Sequence, residues 1–83
     1  TGQTTLEYAL PAEADVRLSV YDVLGRRVNV LVSGRKPSGR HEVRWNGRNS
    51  AGQPVASGVY VGRLIAETPD GEHVQTEKMV LVR

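Results

Sequence analysis

The sequence predicts an all-β fold, an antiparallel β-sandwich of six to seven strands, and three observations support this prediction. Apolar and polar residues alternate over short segments. Valine, which favours strands, is abundant in those segments. Turns that contain glycine, proline, asparagine or serine separate them at regular intervals. Such a series is typical of an Ig-like or fibronectin-like sandwich, and no helix is predicted.

The first three predicted strands each have one apolar face. The residues expected to point inward are Leu6, Tyr8 and Leu10, then Val16, Leu18 and Val20, then Val28 and Val30. Residues 22–25 should reverse the chain between the second and third strands, because Gly25 can adopt a positive φ. Residues 33–39 contain two glycines and a proline and are therefore predicted to form a loop.

The second half of the chain predicts three more strands. Residues 41–45 place Val43 and Trp45 on one face, and residues 58–66 carry apolar side chains on both faces, as expected of a central strand. A turn at residues 69–71 leads into the last strand, roughly residues 72–82. Residues 46–58 predict an irregular connection, with room for a very short seventh strand near Val55.

Length and composition restrict the possible functions. The chain has 83 residues, enough for one hydrophobic core, so residues 1–83 are predicted to form a single domain, expected to be a monomer. The chain has no cysteine, which excludes disulfides and thiolate metal sites. No apolar stretch is close to the length of a membrane span, which requires about 18 residues. The basic residues between positions 35 and 48 are neither interleaved with a series of aromatics nor placed on a predicted helix, so no nucleic-acid partner is expected.

The sequence offers no catalytic or cofactor motif. His41 and His73 have no metal-ligating partner at the usual spacing, and no nucleophile-elbow, zinc-protease or phosphate-binding glycine motif occurs. Carboxylates are scattered over turns and outward strand positions rather than paired, and no EF-hand spacing gathers them. We therefore expect a protein that is not an enzyme and that holds no cofactor.

Five segments together resemble a known family. They are residues 4–11, 20–28, 45–47, 52–60 and 78–83. As a set they are similar to the type A C-terminal sorting domain of the bacterial type IX secretion system, and also to the Ig-like domain of flagellar hook-capping proteins. The resemblance covers nearly the whole chain. The sorting family usually has a Pro-Asn-Pro segment before the threonines, but this sequence begins at Thr1-Gly2-Gln3, so that segment either precedes this sequence or is absent.

The resemblance implies a function in secretion. Sorting domains of this family follow a cargo domain in the same polypeptide, and the outer-membrane secretion machinery and a sortase-like peptidase act on them. The protein would then be secreted, or attached to the cell surface, after passage through the periplasm. In this sequence the recurrent family motifs fall on the candidate sorting residues Gly58, Val59, Tyr60, Lys78, Met79, Val80, Leu81, Val82 and Arg83.

Structural interpretations compete with this one. Tyr60 could be a core tyrosine whose hydroxyl binds a backbone group, and Gly58 could serve only as a residue with positive φ. Residues 78–83 fit a strand that a partner recognises and equally an ordinary edge strand. The whole domain could instead be a structural spacer or assembly domain of the hook-capping type, or a carbohydrate-binding accessory module, which would require exposed aromatic side chains in a flat row.

Overall fold

The structure, a computed structural model, describes residues 4–82 and consists of six antiparallel strands. They are β1 (Thr4–Leu10), β2 (Ala14–Tyr21), β3 (Arg27–Lys36), β4 (Gly39–Trp45), β5 (Gly58–Thr68) and β6 (Gly71–Leu81). Strands β1 and β4 form a two-stranded sheet, and the other four form a sheet in the order β3-β2-β5-β6. The predicted all-β sandwich is confirmed, and β6 is one edge strand of the larger sheet.

The core lies between the two sheets. Period-two alternation turns one face of each strand inward, so β1 contributes Leu6, Tyr8 and Leu10 while β2 contributes Val16, Leu18 and Val20. The remaining buried apolar side chains come from the later strands and from the start of β2: Ala14, Trp45, Tyr60, Leu64, Ala66, Met79 and Leu81. The inward residues predicted for the first two strands are therefore confirmed.

The sequence prediction was wrong about residues 33–39. Most of the predicted loop belongs to β3, which continues to Lys36 because it pairs with the start of β2. Asp15 lies opposite Arg35, and its carboxylate is 3.5 Å from the Arg35 guanidinium. Gly34 has φ +134°, which only glycine adopts readily. The connection to β4 is reduced to Pro37 and Ser38, since pairing with the start of β2 overrides the local turn signals.

The connection from β4 to β5 contains an isolated bridge between Arg48 and Pro54 in place of the possible seventh strand near Val55.

This connection also contains a turn with the same hydrogen-bond pattern as the turn between β2 and β3. In the turn at residues 22–26 the Asp22 Oδ1 accepts hydrogen bonds from the backbone N–H of Leu24 and of Arg26. In the turn at residues 49–53 the Asn49 Oδ1 accepts from the N–H of the residues two and four positions later. Both are Asx turns.

Candidate functional site

The two groups of candidate sorting residues lie side by side. They are about twenty residues apart in sequence, yet the antiparallel register of β5 and β6 joins them. It places Gly58 opposite Leu81, Val59 opposite Val80, Tyr60 opposite Met79 and Val61 opposite Lys78. We call Gly58, Val59, Tyr60 and residues 78–82 the strand-end site. Arg83, the last candidate, lies outside the described residues.

The inward half of the strand-end site belongs to the core. Tyr60, Met79 and Leu81 are all nearly inaccessible, and the Tyr60 ring meets the Trp45 ring edge-on with centroids 5.0 Å apart. The Tyr60 hydroxyl donates a hydrogen bond of 2.6 Å to the Ala56 carbonyl. Gly58 has φ +154°, and a Cβ placed there would meet no atom within 4 Å, so the backbone conformation alone explains the glycine. These features fit the structural interpretation of Tyr60 and Gly58.

The outward half of the site is exposed and apolar. Val59, Val80 and Val82 are respectively 37%, 58% and 69% exposed, and Lys78 points to the same side. Burial does not account for these three valines, because their side chains face away from the core. Residues in such positions are available to a partner.

Two further apolar residues extend this surface, and sequence reasoning missed them. Val23 and Leu24 are 72% and 74% exposed at the tip of the turn between β2 and β3. They line a shallow groove together with Gly58 and Val59 at the start of β5. A sequence signal existed, since large apolar residues are unusual inside a tight turn whose other members are Asp22 and Gly25. We call Val23, Leu24, Val59, Val80 and Val82 the apolar patch.

Asp22 fixes the turn that carries part of this patch. Its Oδ1 accepts hydrogen bonds of 3.0 Å and 2.9 Å from the N–H of Leu24 and of Arg26, and its Oδ2 lies 2.9 Å from the Arg26 Nε. The backbone N–H of Arg26 is the largest cause that lowers the Asp22 pKa below its ordinary value; partial desolvation opposes it, and the Arg26 side chain and the Leu24 N–H reinforce it. The negative charge of Asp22 therefore stabilises the geometry of the turn.

The aromatic residues form no exposed row. Tyr8, Trp45 and Tyr60 are buried, and Tyr21 is half-buried. Tyr8 stacks on His41 with ring centroids 5.0 Å apart. A carbohydrate-binding surface of the flat aromatic kind is therefore not formed by these four side chains.

Within residues 4–82 no group of three or more histidine or acidic side chains is placed to hold a metal ion. The same residues contain no helix of the length and apolar character needed to cross a membrane. Strand β6 pairs with β5 on one side only, so its other edge can hydrogen-bond to an added strand.

Comparison with known proteins identifies relatives of this fold. A family model described as the FlgD Ig-like domain matches residues 1–70. The match ends before β6, so residues 78–82 of the strand-end site lie outside it. No curated protein sequence matches the chain.

Three solved structures share the fold. FlgD from P. aeruginosa has a TM-score of 0.76 and 23% identity over 95% of this chain and 72% of that one. FlgD from Xanthomonas campestris, described in relation to hook capping in flagellar assembly, has a TM-score of 0.72 and 21% identity over 98% of this chain and 56% of that one. Dimeric latent PorU from Porphyromonas gingivalis has a TM-score of 0.74 and 20% identity over 99% of this chain and 8% of that one.

At these identities the three structures establish the architecture alone. The sequence match to the family is more specific, because it extends over most of the chain from the first residue into the turn before β6. On that evidence the chain belongs to the FlgD Ig-like domain family.

Proposed function

We propose that this domain is a non-catalytic module of a larger exported protein and that its strand-end site, with the apolar patch around it, is a recognition surface. The observation that carries the proposal is the division of the site into two halves. Tyr60, Met79 and Leu81 are buried in the core. Val59 and Val80 lie opposite each other on the neighbouring strands, and both side chains face solvent. An exposed apolar cluster of this kind is commonly a contact site for another protein.

The partner proposed first is the outer-membrane machinery of type IX secretion, together with its sortase-like peptidase. The resemblance of residues 58–60 and 78–83 to the recurrent sorting motifs supports this partner. So does the placement of residues 58–60 and 78–81 in one accessible strand pair at the edge of a sheet. In this function the cargo precedes the domain in the same polypeptide, and the protein is released or held at the cell surface after crossing the periplasm.

The second candidate is a structural or assembly module of the kind found in hook-capping proteins. Membership of the FlgD Ig-like domain family favours it, because the family match covers residues 1–70 and excludes the C-terminal strand. Under this hypothesis no partner recognises residues 78–83, and the folded domain serves to position a neighbouring module. The two candidates therefore differ in whether the exposed side chains of β6 matter once folding is preserved.

Deleting residues 78–83 would not separate the two candidates. Met79 and Leu81 are buried in the core, so the deletion would unfold the sandwich and abolish either function. Substitutions on the exposed side of β6 avoid this problem. Val80 and Val82 suit the test, and Val74, which is 47% exposed on the same strand, supplies a matched control.

The experiment fuses the domain to the C-terminus of a periplasm-directed reporter in a bacterium that has this secretion system. For a sorting signal, we expect Val80→Ser with Val82→Ser to reduce surface delivery of the reporter about tenfold, the effect of about 1.4 kcal/mol of lost binding. Val74→Ser should leave delivery unchanged, and circular dichroism melts should agree among the variants. If the double variant is delivered as well as the parent, the sorting function is wrong and the assembly module is the better proposal.

A further inference from the structure

The free edge of β6 is long and its first part is uncovered. Every residue from Gly71 to Lys78 is exposed, including those on the inner face, which the two-stranded sheet leaves open. An exposed edge of this length presents unpaired backbone groups to any strand that can match its side chains. The charged residues along the free edge of β6 determine which strand can pair with it.

The charged side chains on this edge form no ion pair with any residue from 4 to 82. Glu72 and Lys78 lie on the outer face of β6, the face turned away from the two-stranded sheet, while His73 and Glu77 lie on the inner face. The ion pairs formed within residues 4–82 are those of Arg26 with Asp22 and of Arg35 with Glu13 and Asp15, and none involves β6. These side chains are therefore available to an opposing strand.

The sequence of β6 is complementary to itself in one antiparallel register. Two copies related by a two-fold axis at Gln75 place Glu72 opposite Lys78 on the outer face and His73 opposite Glu77 on the inner face. Val74 then lies opposite Thr76, and Gln75 lies opposite its own copy. Every charged residue within this span meets an opposite charge or an imidazole, and each pairing occurs twice because of the symmetry.

Neighbouring registers lack this complementarity. Opposed residues in an antiparallel pair point to the same face of the sheet, so the two-fold axis must pass through a residue of β6. The neighbouring registers therefore have the axis at Val74 or at Thr76. With the axis at Thr76, Lys78 lies opposite Val74 and Glu72 opposite Val80. With the axis at Val74, Lys78 lies opposite Asp70, which precedes β6, but Glu77 lies opposite Gly71 and Glu72 opposite Thr76. The axis at Gln75 alone joins Glu72 with Lys78 and also His73 with Glu77.

We propose that two copies of this domain associate through their β6 edges about a two-fold axis at Gln75, forming one continuous eight-stranded sheet. A single added strand pair buries less surface than a standard interface, so the dimer is weak and forms at high concentration or where copies are held close together. It thus differs from the monomer expected from the sequence. The contact uses Lys78 of the strand-end site but neither Val80 nor Val82, so the variants that test the recognition function leave the contact intact and the two proposals can fail separately.

The first test is charge exchange measured by analytical ultracentrifugation of the 83-residue chain up to about 1 mM. Lys78→Glu places two glutamates opposite each other at both symmetry-related positions of the interface. We therefore expect the dimer dissociation constant to rise about tenfold or more. Glu72→Lys should act alike, and the two substitutions combined should restore association. Arg63→Glu is the control, since Arg63 is exposed on the same face but lies on β5. A chain that stays monomeric throughout, or a dimer that Lys78→Glu leaves unchanged, would overturn the proposal.

The second test is a disulfide across the proposed axis. Opposed residues in an antiparallel pair have Cα atoms about 4.5–5.5 Å apart, which suits a disulfide. The chain has no cysteine of its own, so Gln75→Cys should give a covalent dimer rapidly under mild oxidation. Val80 is also exposed but lies opposite Asp70 in this register, so Val80→Cys should cross-link far more slowly. Equal rates for the two variants, or faster linkage through position 80, would show that the contact is elsewhere.

Discussion

Strand β6 passes through two different environments, and the contrast shows what holds this sandwich together. At the closed end, where β6 ends beside the start of β5, Met79 and Leu81 are buried in the same core cluster as Trp45 and Tyr60. At the open end, where β6 begins, the residues on the same face are exposed, and a groove separates Gln75 from β1. Alternation is the same in both parts. Burial therefore depends on whether the two-stranded sheet covers the strand.

The largest effect is expected at the closed end, from Leu81→Ala. Leu81 is 1% exposed and packs in the core cluster, so the substitution removes apolar contacts and leaves a cavity. We expect the free energy of unfolding to fall by about 2–5 kcal/mol. Urea denaturation followed by tryptophan fluorescence measures it, because the chain has a single tryptophan, Trp45, in the same core. A loss below about 1 kcal/mol would contradict the tight packing of this end.

The sequence predicted the strands well because alternation is a local property. All six strands exist, and the inward phase of residues such as Val16 and Trp45 follows directly from the pattern. The contrast between the two halves of β6 was not predictable in this way. It depends on where the two-stranded sheet lies over the larger one, which is a tertiary relation between strands distant in sequence.

The candidate site was predictable in part, for the same reason. The motif resemblance located Gly58 and Lys78 on two strands, but their adjacency follows from the register of β5 and β6. The contribution of Val23 and Leu24 to the apolar patch was missed, since it requires knowing that their turn lies beside the start of β5. Local patterns assign faces to single strands, and the assembled sheet brings separate segments into one surface.

A smaller loss is expected from Tyr60→Phe, which tests the polar contact of the closed end. The hydroxyl donates a hydrogen bond of 2.6 Å to the Ala56 carbonyl, and the ring contact with Trp45 remains in the variant. We expect a loss of about 1 kcal/mol in the free energy of unfolding. Tyr21→Phe is the matched control, because the Tyr21 hydroxyl has no hydrogen-bond partner within residues 4–82. Equal effects of the two substitutions would mean that the hydroxyl of Tyr60 does not stabilise this end.

Acidic pH should weaken the closed end through Asp22. Its folded-state pKa lies below the ordinary value because the backbone N–H of Arg26 donates to it, with help from the Arg26 side chain and the Leu24 N–H. A lowered pKa means that the carboxylate stabilises the folded state above the unfolded value of about 3.9. This contribution is lost as the pH falls below that value and through the folded pKa.

The variant Asp22→Asn isolates this titration. Asparagine keeps the side-chain oxygen that accepts the two backbone hydrogen bonds, as Asn49 does in the second Asx turn. Near pH 7 we expect the variant to melt slightly below the parent, since the Arg26 pair is exposed and contributes little. The difference in melting temperature should shrink between about pH 4 and pH 2. A difference that stays constant over this range would show that Asp22 does not stabilise the turn through its charge.

The smallest effect is expected at the open end, from Glu77→Ala. Glu77 lies on the same face of β6 as Met79 and Leu81, but it is exposed, and it forms no ion pair with any residue from 4 to 82. We expect the free energy of unfolding to change by about 0.5 kcal/mol or less. The free energy of unfolding should be measured at low micromolar protein concentration, because a dimer formed through β6 would not contribute to the stability there. A loss above about 1 kcal/mol would mean that this half of the inner face is covered after all, and that the two ends of β6 differ less than their exposure indicates.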